Sequence, residues 1–191
     1  MRRNVVILAV CQALMMSATS LVVTTSALVG VLLAPSRIWA TSPVACLFVG
    51  SLVCAFPASL LIKSIWRRAG FSVGHVFALM GAVTTTCGLL YSNFLLFCVG
   101  SLLIGFFNGF GQFYRFAAVD SASEAYRSRA ISWVLAGGIV AAFVGPGIAI
   151  WTWDMVATVP YAGSYSMLVG LYAISMLFLF FARLPMPDRK G

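Results

Sequence analysis

Six long apolar stretches alternate with short polar or charged segments along the chain. They cover about residues 5–33, 43–62, 71–91, 94–116, 131–150 and 164–182. A helix of about 20 residues crosses the hydrocarbon core of a bilayer, so each stretch is long enough to span a membrane. Only Ser92 and Asn93 separate the third stretch from the fourth, which predicts an antiparallel hairpin. The pattern predicts an all-α, polytopic membrane protein with six transmembrane helices in a single domain over residues 1–191.

Basic residues at the ends of these stretches predict the orientation in the membrane. Of the 12 Lys and Arg residues, Arg37 alone falls on one predicted side and all the others fall on the opposite side. Cytoplasmic loops carry an excess of Lys and Arg, so we expect both termini in the cytoplasm. The first stretch is too long for the apolar core of a cleavable signal peptide, and we expect a spanning helix in a plasma or inner membrane.

The composition excludes a soluble domain. Hydrophobic residues make up 62% of the chain, charged residues 8%, and the mean hydropathy is +1.03. A net charge of +8 would suggest nucleic acid as the partner of a soluble protein, but here the basic residues lie at helix ends. We therefore expect no nucleic-acid partner. The expected partners are the lipid bilayer, a small-molecule solute and other membrane-protein units.

The sequence contains few residues of the types that act in catalysis or bind a metal. Its five Cys residues lie in apolar stretches without a C-x-x-C pair, and its four acidic residues lie outside the predicted helices. We expect no enzyme activity, no metal site and no cofactor. The single histidine, His75, is interpreted as packed or interfacial, with a proton-carrying role as the alternative.

Polar residues form a narrow stripe along the fourth predicted helix. Steps of three and four place the members on one face: Ser101, Gly105, Asn108, Gln112 and Arg115. A polar stripe in hydrocarbon must face another helix or a wet cavity, because an amide that faces lipid loses its hydrogen bonds.

These residues are the candidates for lining a solute cavity. Asn108 and Gln112 would bind solute through hydrogen bonds, Gln12 and Thr24 of the first helix would assist, and Arg115 would lie at the cytoplasmic mouth. Neutral amides and hydroxyls suit a polar uncharged or zwitterionic solute better than a metal cation.

Three segments together resemble the major facilitator superfamily of transporters. After the second helix, residues 58–70 are similar to the family's basic loop motif: Arg67 and Arg68 match, while Lys63 stands where the family has aspartate. Residues 105–111 resemble the Arg-x-x-Gln-Gly-x-Gly motif of the family's fourth helix, with Gly105 at the position of the arginine. In the fifth helix, Gly145-Pro146 resembles the family's Gly-Pro motif.

Asp120 and Arg127 also match the family's spacing of an aspartate after the fourth helix and an arginine before the fifth. The resemblance covers all six stretches. It implies the N-terminal six-helix half of the family's fold, built as a 3+3 inverted repeat. Family transporters hold solute between two such halves, so this chain would need a second half, as an identical copy or a separate polypeptide.

Two functions from different classes remain open at this point. The first is transport of a small polar solute as half of a permease. The second is a non-transporting structural or assembly subunit of a larger membrane complex, derived from such a half. The second is motivated by the short length of the chain, by the departures from the loop motif, such as Lys63, and by the lack of charged residues within the membrane.

Overall fold

The computed structural model describes residues 2–64, 67–120 and 127–182, and within these ranges it leaves out the side chains of residues 2, 63, 64, 67, 119, 120, 127 and 130. The described part is helical and contains no strand. Its helices are α1 (Arg2–Leu33), α2 (Ser42–Ser64), α3 (Arg67–Leu90), α4 (Phe94–Gly111), α5 (Tyr114–Asp120), α6 (Arg127–Thr152) and α7 (Ala162–Phe181), with a 3₁₀ turn at Arg37–Trp39. Six segments are long and apolar enough to span a membrane, which confirms the predicted all-α, polytopic class.

The fourth span consists of two helices, whereas the sequence pattern indicates one. Helix α4 ends at Gly111, residues 112 and 113 form a turn, and α5 begins at Tyr114. Gly109 and Gly111 weaken the helix at this point, since glycine has a low helix propensity. Gln112 keeps a helical backbone conformation and its backbone N–H bonds to the Asn108 carbonyl, so the two helices belong to one span.

Local hydrogen bonds explain how hydroxyl-rich sequences form apolar helices. Thr24, Thr84 and Ser101 each donate to the backbone carbonyl four residues earlier. This bond satisfies a hydroxyl group within its own helix, where no water is present to do so. Between α3 and α4, the Asn93 side chain accepts a hydrogen bond from the Leu96 amide and caps the helix that follows, at the turn that the sequence predicts.

The helices pack in two related sets. Helix α4 lies between α2 and α3, while α1 packs against α6 and α7, and α3 packs against α7. If the first, second and third spans are matched with the fourth, fifth and sixth, then α1 corresponds to α4, α2 to α6 and α3 to α7. Under this match, the contact of α4 with α2 corresponds to that of α1 with α6, and the contact of α4 with α3 corresponds to that of α1 with α7. This correspondence between helix pairs is the one that a 3+3 repeat would have.

Glycines permit the two closest of these contacts. A Cβ at Gly105 of α4 would overlap the backbone carbonyl of Leu47 in α2, and a Cβ at Gly145 of α6 would overlap that of Ser17 in α1. Close approach of helix backbones through small residues is a common mode of helix packing in membranes. Gly105 thus contacts a neighbouring helix, although it belongs to the predicted polar stripe.

Candidate functional site

A pocket of about 390 Å³ lies beside α1, α5 and α6 and contains two of the predicted site residues. Gln12 of α1 and Arg115 of α5 are its polar members, and we call it the Gln12–Arg115 pocket. Its other lining residues are Met16, Val134, Leu135, Gly138, Ile139, Ala142 and Phe143. Its size is within the usual range of small-molecule sites, which are mostly apolar and hold a few placed polar groups.

The small residues of α6 explain why there is space at this position. Gly137 and Gly145 face α1, where a Cβ on them would contact Ala13 and Ser17 respectively. Gly138 and Ala142 lie on the next ridge of the helix and line the pocket. One ridge of small residues therefore brings α6 close to α1, and the other leaves a cavity beside the contact.

Gln12 is buried, but its side-chain carbonyl oxygen accepts no hydrogen bond from the described residues. The side chain is 2% exposed, and no hydrogen-bond partner is present for Oε1 among the described residues. An unpaired buried acceptor costs about 1–3 kcal/mol of folding free energy, so native proteins seldom contain one without a ligand or a water molecule to pair with it. Gln12 therefore brings an enclosed, unpaired acceptor to the lining of the pocket.

Arg115 lies in the first turn of α5 and is held in place by Gln112. Its Nη2 donates to Gln112 Oε1 across 2.8 Å, and both side chains are exposed. This bond uses part of the guanidinium group, which has five N–H donors in all. The structure thus gives Gln112 a partner in Arg115 and places the arginine at the pocket.

Asn108 lies in a helix–helix contact. Its side chain is 6% exposed, and Oδ1 accepts a hydrogen bond of 2.8 Å from the Thr19 hydroxyl of α1. That hydroxyl also lies 2.9 Å from the backbone carbonyl of Met15. The amide of Asn108 therefore joins α4 to α1, and sequence analysis did not identify Thr19 as its partner.

Thr24 lies apart from the other candidates. It donates to the Ser20 carbonyl of its own helix and lines a separate pocket of about 220 Å³ together with Pro146 and Trp153. Pro146 belongs to the Gly145-Pro146 pair, so that motif lies at this second pocket. The structure brings Gln12 and Arg115 together, with Gln112 beside them, and leaves Asn108 and Thr24 in other surroundings.

The residues of the predicted loop motifs are described only in part. Arg68 places its guanidinium carbon 5.3 Å from the centre of the Phe180 ring, which joins the start of α3 to the end of α7. The side chains of Lys63, Arg67, Asp120 and Arg127 lie outside the described residues.

His75 takes part in a buried polar contact that the sequence did not indicate. Its Nδ1 lies 2.9 Å from the Phe71 carbonyl, and its Nε2 lies 2.9 Å from the Ser175 hydroxyl of α7. A carbonyl can only accept, so Nδ1 carries a proton, and in the neutral ring Nε2 then accepts from Ser175. Both ring nitrogens of the neutral imidazole are satisfied, and the side chain is fully buried. This geometry supports the packed role of His75.

A second buried contact joins α1 to α7 through Tyr165. Its hydroxyl lies 3.1 Å from Thr25 Oγ1 and 2.9 Å from Ser26 Oγ. Hydroxyl groups of this kind carry no sequence signal that separates an interhelix contact from a solute site.

Among the described residues, no group of three or more His, Cys, Asp or Glu side chains could hold a metal ion.

These features define an integral, polytopic helical membrane protein with a mostly apolar pocket that contains an amide and an arginine. No protein-family model matches the chain. The chain is similar to the riboflavin transporter RfnT of Brucella anthropi, with 38% identity over 180 residues. The match covers 93% of this chain and 45% of the relative, so the chain spans about half the length of that protein.

Proposed function

We propose that the chain is one six-helix half of a permease of the major facilitator type, and that it carries a small polar solute across a plasma or inner membrane. We further propose that the solute is a flavin such as riboflavin. The observation that carries the proposal is the buried, unpaired amide oxygen of Gln12 in a membrane pocket that Arg115 also lines. Similarity to a riboflavin transporter over 93% of the chain supports it.

The exposed helices support a second half. Of the six spans, those of α2 and α6 are the least buried, at 28% and 22%. These two helices also occupy the same position in their sets, because α2 is the second of the first three spans and α6 is the second of the last three. A second six-helix unit placed against them would cover both helices and close the Gln12–Arg115 pocket, which is lined by α6. An identical copy, a separate chain or further sequence of the same protein could provide that unit.

The charge of the pocket supports a solute without net positive charge on the part that enters it. Among the described residues that line the pocket, none is acidic and Arg115 is the one charged member. An uncharged or zwitterionic solute with both apolar and polar groups matches these walls. A proton relay through membrane carboxylates is not part of the proposal, because no Asp or Glu lies in a span.

The composition of the extracted particle tests this proposal. We would extract the protein from its membrane in mild detergent, measure the mass and subunits of the particle, and measure retained riboflavin by fluorescence. Two six-helix units per particle with bound riboflavin are expected. One copy of the chain among unrelated subunits, without bound flavin, would support the alternative of a non-transporting structural or assembly subunit.

A further inference from the structure

Gln12 differs from the other buried polar groups of α1 in that its acceptor is unused. Thr25 and Ser26 contact Tyr165, and Thr19, which is half-buried, contacts Asn108. Each of these groups joins α1 to another helix. Gln12 Oε1 makes no such contact among the described residues, although the side chain is 98% buried by accessible surface. The hydroxyls of Tyr114 and Tyr172 are also buried without a partner, but of these three groups Gln12 is the one that lines the pocket.

The walls around this amide restrict what can pair with it. Met16 lies one turn after Gln12 on α1, and the α6 side includes Leu135, Ile139 and Phe143. Side chains of this type contact a broad apolar surface, and a thioether adapts to the shape of a planar ring. The occupant must therefore combine an apolar face with a polar edge that reaches Gln12.

A primary amide pairs best with an edge that presents a donor and an acceptor side by side. Its oxygen accepts one hydrogen bond and its NH₂ group donates another, in the same plane. Glutamine and asparagine use this two-bond geometry to recognise adenine in DNA. A ring lactam or imide, in which N–H lies next to C=O, presents the same pair of groups to an amide.

We propose that Gln12 recognises the lactam or imide edge of a planar heterocyclic solute, an assignment that rests on the transport function proposed above. Gln12 Oε1 accepts the ring N–H, and the Gln12 NH₂ group donates to the adjacent ring carbonyl. Arg115 donates to a second oxygen of the solute with the N–H groups that Gln112 leaves free. The isoalloxazine ring of riboflavin has an imide of this kind, with N–H at position 3 between two carbonyls.

Methylation of that nitrogen tests the assignment directly. We would measure the affinities of riboflavin and 3-methylriboflavin for the purified protein by quenching of flavin fluorescence. The unsubstituted protein should bind riboflavin about tenfold more tightly, because the methyl group leaves Gln12 Oε1 without a donor. Gln12→Leu should weaken riboflavin binding about tenfold and reduce the preference to near one.

The variants are chosen so that weaker riboflavin binding cannot be explained by a variant that fails to fold. Leucine resembles glutamine in size and removes an unpaired acceptor, so Gln12→Leu should fold at least as well as the unsubstituted protein. Thr84→Val is the matched control, because the exposed Thr84 hydroxyl bonds only to its own helix. It should keep the full preference for riboflavin.

The outcomes separate this inference from the function on which it rests. Riboflavin binding with equal affinity for the 3-methyl compound would overturn the role of Gln12 and leave flavin transport in place. A preference that persists in Gln12→Leu would overturn it in the same way. No riboflavin binding by the unsubstituted protein would overturn the proposed flavin specificity, and the role of Gln12 with it.

Discussion

At the scale of single residues, the two buried amides of the candidate set have different roles. The Asn108 amide is paired across a helix interface by Thr19, whereas the Gln12 carbonyl is buried without a partner. A paired amide contributes about 1 kcal/mol to the free energy of unfolding, and an unpaired acceptor lowers it. We therefore expect Asn108 to act mainly on stability and Gln12 mainly on solute binding.

Removal of the Asn108–Thr19 hydrogen bond should lower stability more than it lowers solute affinity. Asn108→Ala and Thr19→Val should each reduce the free energy of unfolding by about 1 kcal/mol. The double variant should cost less than the sum of the two, because both changes remove the same bond. Thermal unfolding in detergent measures this, and strictly additive effects would show that the two residues do not interact.

At the scale of helices, glycine positions determine which backbones can approach. Gly105 and Gly170 are a matched pair for testing this. A Cβ at Gly105 would overlap the Leu47 carbonyl, while a Cβ at Gly170 of α7 would meet nothing within 4 Å. Both lie inside helices, so alanine improves helix propensity at each by about 1 kcal/mol.

The Gly105→Ala substitution should therefore destabilise the protein, and Gly170→Ala should leave it unchanged or stabilise it. We expect a loss of about 1–3 kcal/mol for Gly105→Ala, because α2 and α4 must separate to accept the methyl group. Midpoints of thermal unfolding for both variants provide the comparison. Equal midpoints would contradict the close α2–α4 contact.

The ridge of α6 that lines the pocket allows a second test at this scale. Ala142→Leu should fill part of the Gln12–Arg115 pocket and weaken riboflavin binding at least tenfold, because Ala142 lines the cavity. Val144→Leu adds one methylene group at an exposed position of the same helix and should have little effect. Fluorescence titration of riboflavin measures both variants. Unaltered affinity in Ala142→Leu would place the solute elsewhere.

The sequence predicts the spans well because their signal is local. A run of about 20 apolar residues satisfies its backbone only as a helix in hydrocarbon, whatever its neighbours are. The helical period of the fourth span likewise identifies which residues share a face. It does not identify what covers that face, since this depends on residues far along the chain.

The fate of the polar stripe shows this difference. Gly105 is covered by α2, Asn108 is paired by α1, and Arg115, which follows the turn at residues 112 and 113, lines a pocket. Thr19, which pairs with Asn108, lies 89 residues away in sequence. Gln12 and Arg115 likewise line one pocket from helices that are distant in sequence. The helical period identifies both residues as polar positions but does not predict that they share a pocket.

At the scale of the whole molecule, the distribution of basic residues predicts how the protein is oriented in the membrane, and labelling of single cysteines tests this orientation. The proposal places the start of α6 in the cytoplasm and the segment between α1 and α2 outside the cell. Single cysteines at Ser36 and Ser128 probe these two sides, because both serines are exposed. In intact cells, Ser36→Cys should react with an impermeant maleimide, and Ser128→Cys should react only after permeabilisation. The reverse pattern would contradict the proposed topology.

Uptake of radiolabelled riboflavin by cells that lack their own uptake system and express the protein tests whether this six-helix unit carries a flavin through a site that includes Gln12 and Arg115. We expect saturable uptake that depends on the protein, with a loss of about tenfold in affinity for Arg115→Gln and no loss for Thr84→Val. Uptake equal to that of cells without the protein, at confirmed expression in the membrane, would mean that the unit does not carry riboflavin.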